Sequence, residues 1–150
     1  MTAMTSPTGR TTASSIIQSR IRDIQEAARG VTRQYPRSYI LQCIKEDRFP
    51  DELWRELGKF GLLGLSIPEE HGGSGGGVLE ITALNEALAL AGVPTLFLVV
   101  TGLARVPIVR HGTKEQIARY VTPTCTGEKK MCFAITEPNA GTNSFAMSTL

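Results

Sequence analysis

An uncharged run across residues 87–104, ALALAGVPTLFLVVTGLA, restricts this chain more than any other part of its sequence. The run holds about 18 residues without a charge, the lower limit for a helix that crosses a membrane. Gly92 and Pro94 interrupt it, and a proline here removes a backbone donor and clashes with the preceding turn. We therefore expect two shorter buried helices that meet at AGVP, and we disfavour a membrane span.

The composition indicates one globular domain. A chain of 150 residues with 41% hydrophobic content is long enough for one compact core. Its 16 basic and 14 acidic residues give a net charge of +2, too weak a basic field to favour nucleic acid as a partner. Cys43, Cys125 and Cys132 show no C-x-x-C spacing, which argues against a disulfide framework and a structural zinc site. We expect a reducing compartment: the cytoplasm, or the mitochondrial matrix if the source is eukaryotic.

The first residues have the composition of a polar tail. They are rich in Ser and Thr, and no acidic residue precedes Asp23. This pattern weakly resembles a mitochondrial transit peptide. Because polar tails are common at chain termini, we prefer a disordered tail across residues 1–14.

Apolar spacing predicts helices along most of the chain. Ile17, Ile21, Ile24, Ala28 and Val31 recur at intervals of four and three, the pattern of one buried helical stripe. A short helical piece is expected across residues 39–44, and a further helix across residues 78–91. The pattern over residues 96–103 is so strongly apolar that we expect this helix to be buried nearly all round.

Two helix starts have clear local signals. Pro50 suits a first helical position, and acidic residues directly after it complement the positive end of the helix dipole before Gly61 ends the helix. Thr113, with Gln116 three positions later, forms a capping box that predicts a short helix to Val121.

A glycine-rich stretch, GGSGGG at residues 72–77, superficially suggests a phosphate loop. It matches neither G-x-G-x-x-G nor a Walker pattern, because no Gly-Lys-Ser/Thr follows it and no strand pattern precedes it. We interpret it as a flexible surface loop.

The segment MCFAITEPNAGTN, residues 131–143, combines a strand pattern with a polar turn. Met131, Phe133 and Ile135 alternate with smaller residues, which predicts a strand. In the turn that follows, backbone N–H groups and the Thr142 hydroxyl are suited to hold a phosphate or pyrophosphate oxygen. An ordinary loop, in which Thr and Asn side chains bond their own backbone, is an equally acceptable interpretation of the motif alone.

Three segments together resemble the acyl-CoA dehydrogenase family. They are FGLLGLSIPEEHGG, PIVRHGTKEQIARYV and TGEKKMCFAITEPNAGTN, which occur in that family's order and spacing. AITEPNAGT is similar to the family's flavin-site signature, and the resemblance extends from about residue 16 onward. It implies a mainly α fold: a helical N-terminal domain, residues 15–128, and the first strand of a β-barrel-like flavin-binding middle domain, residues 129–150, which we expect to be truncated.

The resemblance also implies which residues bind ligands. The cofactor would be FAD, and its contacts would be Phe133, Ala134, Ile135, Thr136, Gly141 and Thr142. Phe133 and Ile135 would pack beside the flavin ring, Thr136 would bond its polar edge, and Gly141 with Thr142 would meet the pyrophosphate. Thr142 also occupies the position at which the family contacts the thioester substrate.

The same resemblance identifies no residue of this chain for the proton-abstraction step. The family removes the α-proton of an acyl-CoA with a glutamate in a C-terminal helical bundle, for which we find no counterpart, so we name no catalytic residue. We expect Glu137 to make a structural hydrogen bond, and we assign His71 and His111 neither a metal nor a base role. Asn143 replaces the aspartate that usually follows the Gly-Ser/Thr pair, which puts the loop geometry in question.

Three functions are consistent with these residues. The first is an FAD-dependent acyl-CoA dehydrogenase of fatty acid metabolism, present as an N-terminal fragment that is inactive alone. Its partners would be an acyl-CoA substrate, an electron-accepting flavoprotein and other subunits of a homo- or hetero-oligomer. The second is an acyl-CoA oxidase or flavin monooxygenase of the same fold. The third is a non-catalytic helical subunit that pairs with a complete partner, since an unpaired strand and an apolar helix both need neighbours.

Overall fold

The computed structural model describes residues 13–149 and is helical throughout its body. Most of the predicted tail, residues 1–14, lies outside the described residues, and that prediction stays open. The helices are α1 (Ala13–Gln34), α2 (Arg37–Lys45), α3 (Asp51–Lys59), α4 (Val78–Leu90), α5 (Leu96–His111), α6 (Lys114–Gln116) and α7 (Thr122–Cys125). A π-helical turn, Ile117–Val121, joins α6 to α7, and single 3-10 turns lie at Leu62–Gly64, Glu69–His71 and Ser144–Ala146.

The main core forms where α1 packs along α4. Ile24, Ala28 and Val31 are buried as the stripe predicts, whereas Ile17 lies beyond the end of this core and is exposed. Polar contacts fix the two helices in register: Gln25 donates to a Glu86 carboxylate oxygen over 2.8 Å. The stripe prediction is therefore confirmed for the C-terminal half of α1 and wrong for its start.

The break predicted inside the uncharged run is confirmed. Helix α4 ends at Leu90, Gly92 adopts a left-handed backbone with φ of 76°, and α5 begins at Leu96. A left-handed residue carries little strain only when it is glycine, so Gly92 provides the reversal that separates the two helices. Within residues 13–149, none of the helices combines the length and apolar character that a membrane crossing requires.

Helix α5 differs from its prediction in length and in burial. It continues through Pro107 to His111, and only one side of it packs on the protein. The other side carries an exposed apolar stripe, Leu96, Val99, Leu103 and Val106. A run of apolar residues cannot distinguish a helix covered on all sides from one whose second face awaits a partner, which is why the burial prediction was wrong.

The predicted flexible loop at residues 72–77 is instead held against the protein. The amides of Ser74, Gly75 and Gly76 donate to the carbonyls of Gly64, Ile67 and Leu65 over 3.0, 2.9 and 2.7 Å. A Cβ on Gly73 would lie 2.0 Å from the Ile67 carbonyl oxygen. The glycines therefore allow two backbone segments to touch, and the interpretation as a free surface loop is wrong in this respect.

The capping box predicted at Thr113 is confirmed. The Thr113 amide donates to Gln116 Oε1 over 2.8 Å, and the Gln116 amide donates to Thr113 Oγ1 over 3.2 Å. The helical path continues past this start through Val121 to Cys125, with a change of helix type on the way. Ile117, Val121 and Cys125 pack with Ile67 in a second, smaller core.

Arg105 joins the two cores. It is 4% exposed, and its guanidinium donates to the Leu63 carbonyl and, over 2.7 Å in each case, to the hydroxyl and carbonyl oxygens of Thr124. The Thr124 hydroxyl in turn donates to the Val121 carbonyl. All the acceptors of Arg105 are neutral, and burial lowers the pKa of its guanidinium.

The strand predicted at residues 131–135 is absent. This segment is extended, but between residues 13 and 149 no second extended segment runs beside it, and the bridge between Glu137 and Ala140 lies within a turn. A strand is defined by hydrogen bonds to a neighbour, which the alternation of side chains alone cannot supply.

We predict that Arg105→Leu destabilises the protein by about 3 kcal/mol, because the buried Leu63 and Thr124 oxygens lose their donors. Arg110→Leu is the matched control on the same helix; its side chain is exposed, and we expect a change within about 0.5 kcal/mol. Urea unfolding followed by circular dichroism measures both. Equal midpoints for the two variants would show that Arg105 does not link the cores.

Gly58 provides a second test of the packing. A Cβ at this position would lie 2.1 Å from the carbonyl oxygen of Thr126, a backbone atom that cannot rotate away. We expect Gly58→Ala to cost about 3 kcal/mol or more in unfolding free energy. Gly30→Ala, where an added Cβ meets no atom within 4 Å, should instead stabilise α1 by up to about 1 kcal/mol. Thermal unfolding of both variants checks the contrast, and a neutral Gly58→Ala would contradict it.

Candidate functional site

The segment of residues 131–136 leaves the helical body in a fixed direction. The Lys129 amide donates to the Pro123 carbonyl over 3.0 Å, and the Lys130 ammonium forms an ion pair with Asp51. The same ammonium lies 4.3 Å from the centre of the Phe49 ring, which itself packs against Trp54. The last residues before the segment are therefore attached to α7 and α3.

The predicted ring contacts lie side by side on this extended segment. Phe133 and Ile135 are partly exposed apolar side chains, and Ala134 and Thr136 between and after them are exposed as well. Within the described residues, no hydrogen bond engages their backbone amides or the Thr136 hydroxyl. The segment thus presents an apolar edge and unused donors.

A tight turn follows. The Glu137 amide donates to the Ala140 carbonyl over 2.9 Å and the Ala140 amide returns a bond to the Glu137 carbonyl over 3.3 Å. Pro138 at the second position of this four-residue turn restricts its backbone, as is usual for β-turns. Ala140 is buried, so the turn is also attached through its last side chain.

The Glu137 carboxylate closes a larger loop. One oxygen accepts from the Ser148 amide over 2.9 Å and from its hydroxyl over 3.1 Å, and the other accepts from the Thr149 amide over 3.0 Å. Hydrogen bonding from Thr149 and Ser148 lowers the pKa of Glu137 to about 2. The predicted structural hydrogen bond is confirmed, and a carboxylate of such low basicity is a poor general base at neutral pH.

The loop presents the predicted pyrophosphate contacts to solvent. Gly141 and Thr142 are exposed, and a Cβ built on Gly141 would meet no atom within 4 Å. Inside the described part of the chain, the Thr142 hydroxyl and the Asn143 side chain have no hydrogen-bond partner. The open space beside Gly141 and the free hydroxyl of Thr142 both suit the close approach of an anionic group such as a diphosphate.

Sequence reasoning missed a cleft of about 520 Å³ in the helical body. Its walls are α4, α5, the turn after α3 and the glycine loop of residues 72–77, and most of its lining is apolar. Two buried atoms on residues that line it, Trp54 Nε1 and Asn85 Oδ1, have no hydrogen-bond partner among the described residues. The sequence signal that could have predicted the cleft was the apolar helix α5 together with the glycine loop. The sequence does not show which face of α5 is open, because that depends on how the helices pack.

The histidines form no site with other ligands. His71 lies 3.4 Å from a Glu70 carboxylate oxygen, and His111 is exposed at the end of α5. Across residues 13–149, no three His, Cys, Asp or Glu side chains gather closely enough to hold a metal ion.

Curated proteins of similar sequence include an acyl-CoA dehydrogenase and a subunit of a caffeyl-CoA reductase complex. The chain is 36% identical over 140 residues to an acyl-CoA dehydrogenase of Mycobacterium tuberculosis, which covers 92% of this chain and 36% of the relative. It is 37% identical over 129 residues to the CarC subunit of the caffeyl-CoA reductase–Etf complex of Acetobacterium woodii, which covers 84% and 34%. The chain therefore spans about a third of the length of these relatives.

Solved structures share the fold. A probable acyl-CoA dehydrogenase from Mycobacterium abscessus superposes with a TM-score of 0.75 at 30% identity, over 89% of this chain and 35% of that one. Butyryl-CoA dehydrogenase from Megasphaera elsdenii superposes with a TM-score of 0.72 at 30% identity, over 87% and 35%.

The helical body also matches a family profile. The acyl-CoA dehydrogenase N-terminal domain aligns with residues 18–128, the region from α1 to just past α7. With this match over most of the chain and the relatives above, the protein belongs to the acyl-CoA dehydrogenase family, of which it contains the N-terminal helical domain.

Proposed function

We propose that this chain is the N-terminal portion of an FAD-dependent acyl-CoA dehydrogenase of fatty acid metabolism. Phe133, Ala134, Ile135 and Thr136 would contact the flavin, and Gly141 and Thr142 would contact its diphosphate. Thr142 would also contact the thioester substrate. A bound flavin would accept the hydride that leaves the β-carbon of an acyl-CoA.

The observation that carries this proposal is the open space beside Gly141. A Cβ there meets no atom of the described chain, while the turn before it is fixed by reciprocal backbone bonds and by the Glu137 carboxylate. Gly141 directly follows this fixed turn and packs against nothing in the described chain, so a ligand can approach its backbone closely. The uncommitted amides of the preceding segment support the same interpretation.

The chain's own residues would bind and orient the cofactor, and we assign none of them the α-proton abstraction. Glu137 is the carboxylate that directly follows the segment of residues 131–136, and its bonds to Ser148 and Thr149 commit it to holding the loop. We expect the chain alone to turn over no substrate.

The partners follow from the same proposal. One relative is named as a subunit of a complex with Etf, which supports an electron-transferring flavoprotein as the redox partner.

The cellular location is also a proposal. A mitochondrial short-chain acyl-CoA dehydrogenase of Sus scrofa is 34% identical over 110 residues. We propose the cytoplasm of a bacterium, or the mitochondrial matrix of a eukaryote, as the location.

A second candidate function rests on the exposed stripe of α5. Leu96 is 69% exposed, and Leu103, about two helical turns further along the same face, is 50% exposed. A contiguous apolar face of this kind is unusual on a monomer and favours a helical subunit that pairs with another chain.

We predict that the chain binds FAD measurably, and that Gly141→Ala weakens this binding by about tenfold, because the methyl group enters the space beside the backbone. Gly30→Ala adds the same methyl group to open space in α1 and should leave the affinity unchanged. Titration of FAD fluorescence gives both dissociation constants. If the unmodified chain does not bind FAD, the proposed cofactor site is wrong; if both variants bind equally, Gly141 is not part of it.

The pairing function predicts self-association or hetero-association through α5. Leu103→Glu should then shift the sedimentation profile towards the monomer, since the charge enters the apolar stripe. Leu41→Glu is the matched control, because Leu41 on α2 is 47% exposed but lies on a different helix. A monomeric unmodified chain that unfolds cooperatively would contradict this second function.

A further inference from the structure

The two ends of the loop after Pro138 are joined by one side chain. Glu137 lies before the loop, and its carboxylate receives three hydrogen bonds from Ser148 and Thr149 beyond it. The intervening residues include Gly141 and Thr142, which are exposed, and a Cβ on Gly141 would meet no atom of the described chain within 4 Å. The path of these two residues is therefore set at its ends, by the turn on one side and by the Glu137 carboxylate on the other.

A carboxylate suits this task better than its neutral analogue. It offers two acceptor oxygens and no donor, which matches two backbone amides and a hydroxyl that all donate. A glutamine here would place its own NH2 group against one of the amides, so one of the three bonds would be replaced by a contact between donors. Hydrogen bonds to a charged acceptor are also stronger than bonds between neutral groups.

We propose that Glu137 is a positioning residue, which fixes the loop of residues 138–147 so that Gly141 and Thr142 meet the diphosphate of the cofactor. This inference rests on the proposed function. Glu137 would not touch the reacting atoms; it would act through the loop it closes. The three donors stabilise its negative charge through hydrogen bonds.

The first part of the test needs no cofactor. Hydrogen bonds favour the ionised form and lower the pKa of Glu137 to about 2 from an ordinary value of 4.5, with no contribution from a neighbouring charged side chain. The loop contacts are then fully present above pH 4.5 and are lost as the pH falls through about 2. In NMR spectra of the chain, we expect the Ser148 and Thr149 amide signals to hold their positions through pH 4.5 and to move only near pH 2.

The second part measures the consequence for cofactor binding. We expect Glu137→Gln to weaken FAD binding by about tenfold while the urea midpoint of the helical body stays the same. Glu128→Gln removes the same charge from an exposed glutamate that makes no hydrogen bond within the described residues, and its affinity should match that of the unmodified chain. A purely structural effect on the helical body would lower the urea midpoint, which separates it from positioning.

The outcomes separate this inference from the proposed function. If the unmodified chain binds FAD and Glu137→Gln binds it equally well, the positioning role is overturned and the cofactor site stands. If the unmodified chain binds no FAD, both proposals fail. If the Ser148 and Thr149 amides respond at pH 4.5 and not near pH 2, the carboxylate does not close the loop, and the inference fails whatever the affinity.

Discussion

The buried guanidinium of Arg105 connects three separate parts of the chain. Helix α5 carries it, the turn after α3 accepts one of its bonds and α7 accepts the others. An arginine without a carboxylate partner is costly to bury, and the cost is offset here because three strong donors meet oxygens that would otherwise be unsatisfied. The small core under α7 and the large core between α1 and α4 are thereby held at one relative position.

This arrangement fixes where the candidate cofactor segment leaves the body. Helix α7 holds Lys129 through the Pro123 carbonyl, and α3 holds Lys130 through Asp51. Because Arg105 binds α7 directly, the direction of the following extended residues depends on a side chain that lies well before them in sequence. Helical body and segment are in this sense one structural unit, although one is tightly packed and the other is exposed.

Sequence reasoning succeeded where the signal was local. The break at Gly92 and the capping box at Thr113 each depend on residues within a few positions of one another, and both are present.

Sequence reasoning failed where a structural feature depends on residues that are distant in sequence. The glycine loop is held by carbonyls of Gly64, Leu65 and Ile67, the open face of α5 is set by helix packing, and residues 131–135 have no adjacent strand among the described residues. The cleft was missed for the same reason, since its walls come from four separated segments. The candidate site residues are consecutive or nearly so, which is why a motif could name them.

Arg105 and Glu137 solve the same electrostatic problem in opposite surroundings. The cation is buried and the anion lies in an exposed loop, yet each is bound mainly by neutral groups of the backbone and by hydroxyls. The attraction between two ions depends little on direction, whereas hydrogen bonds to backbone groups form only when the chain follows a particular path. Each charge therefore selects one backbone conformation: Arg105 that of the turn at Leu63 and of α7, and Glu137 that of the loop which carries Gly141. The same surroundings that make Glu137 effective in holding the loop make it a weak base, so its structural role and its lack of a catalytic one have a single physical cause.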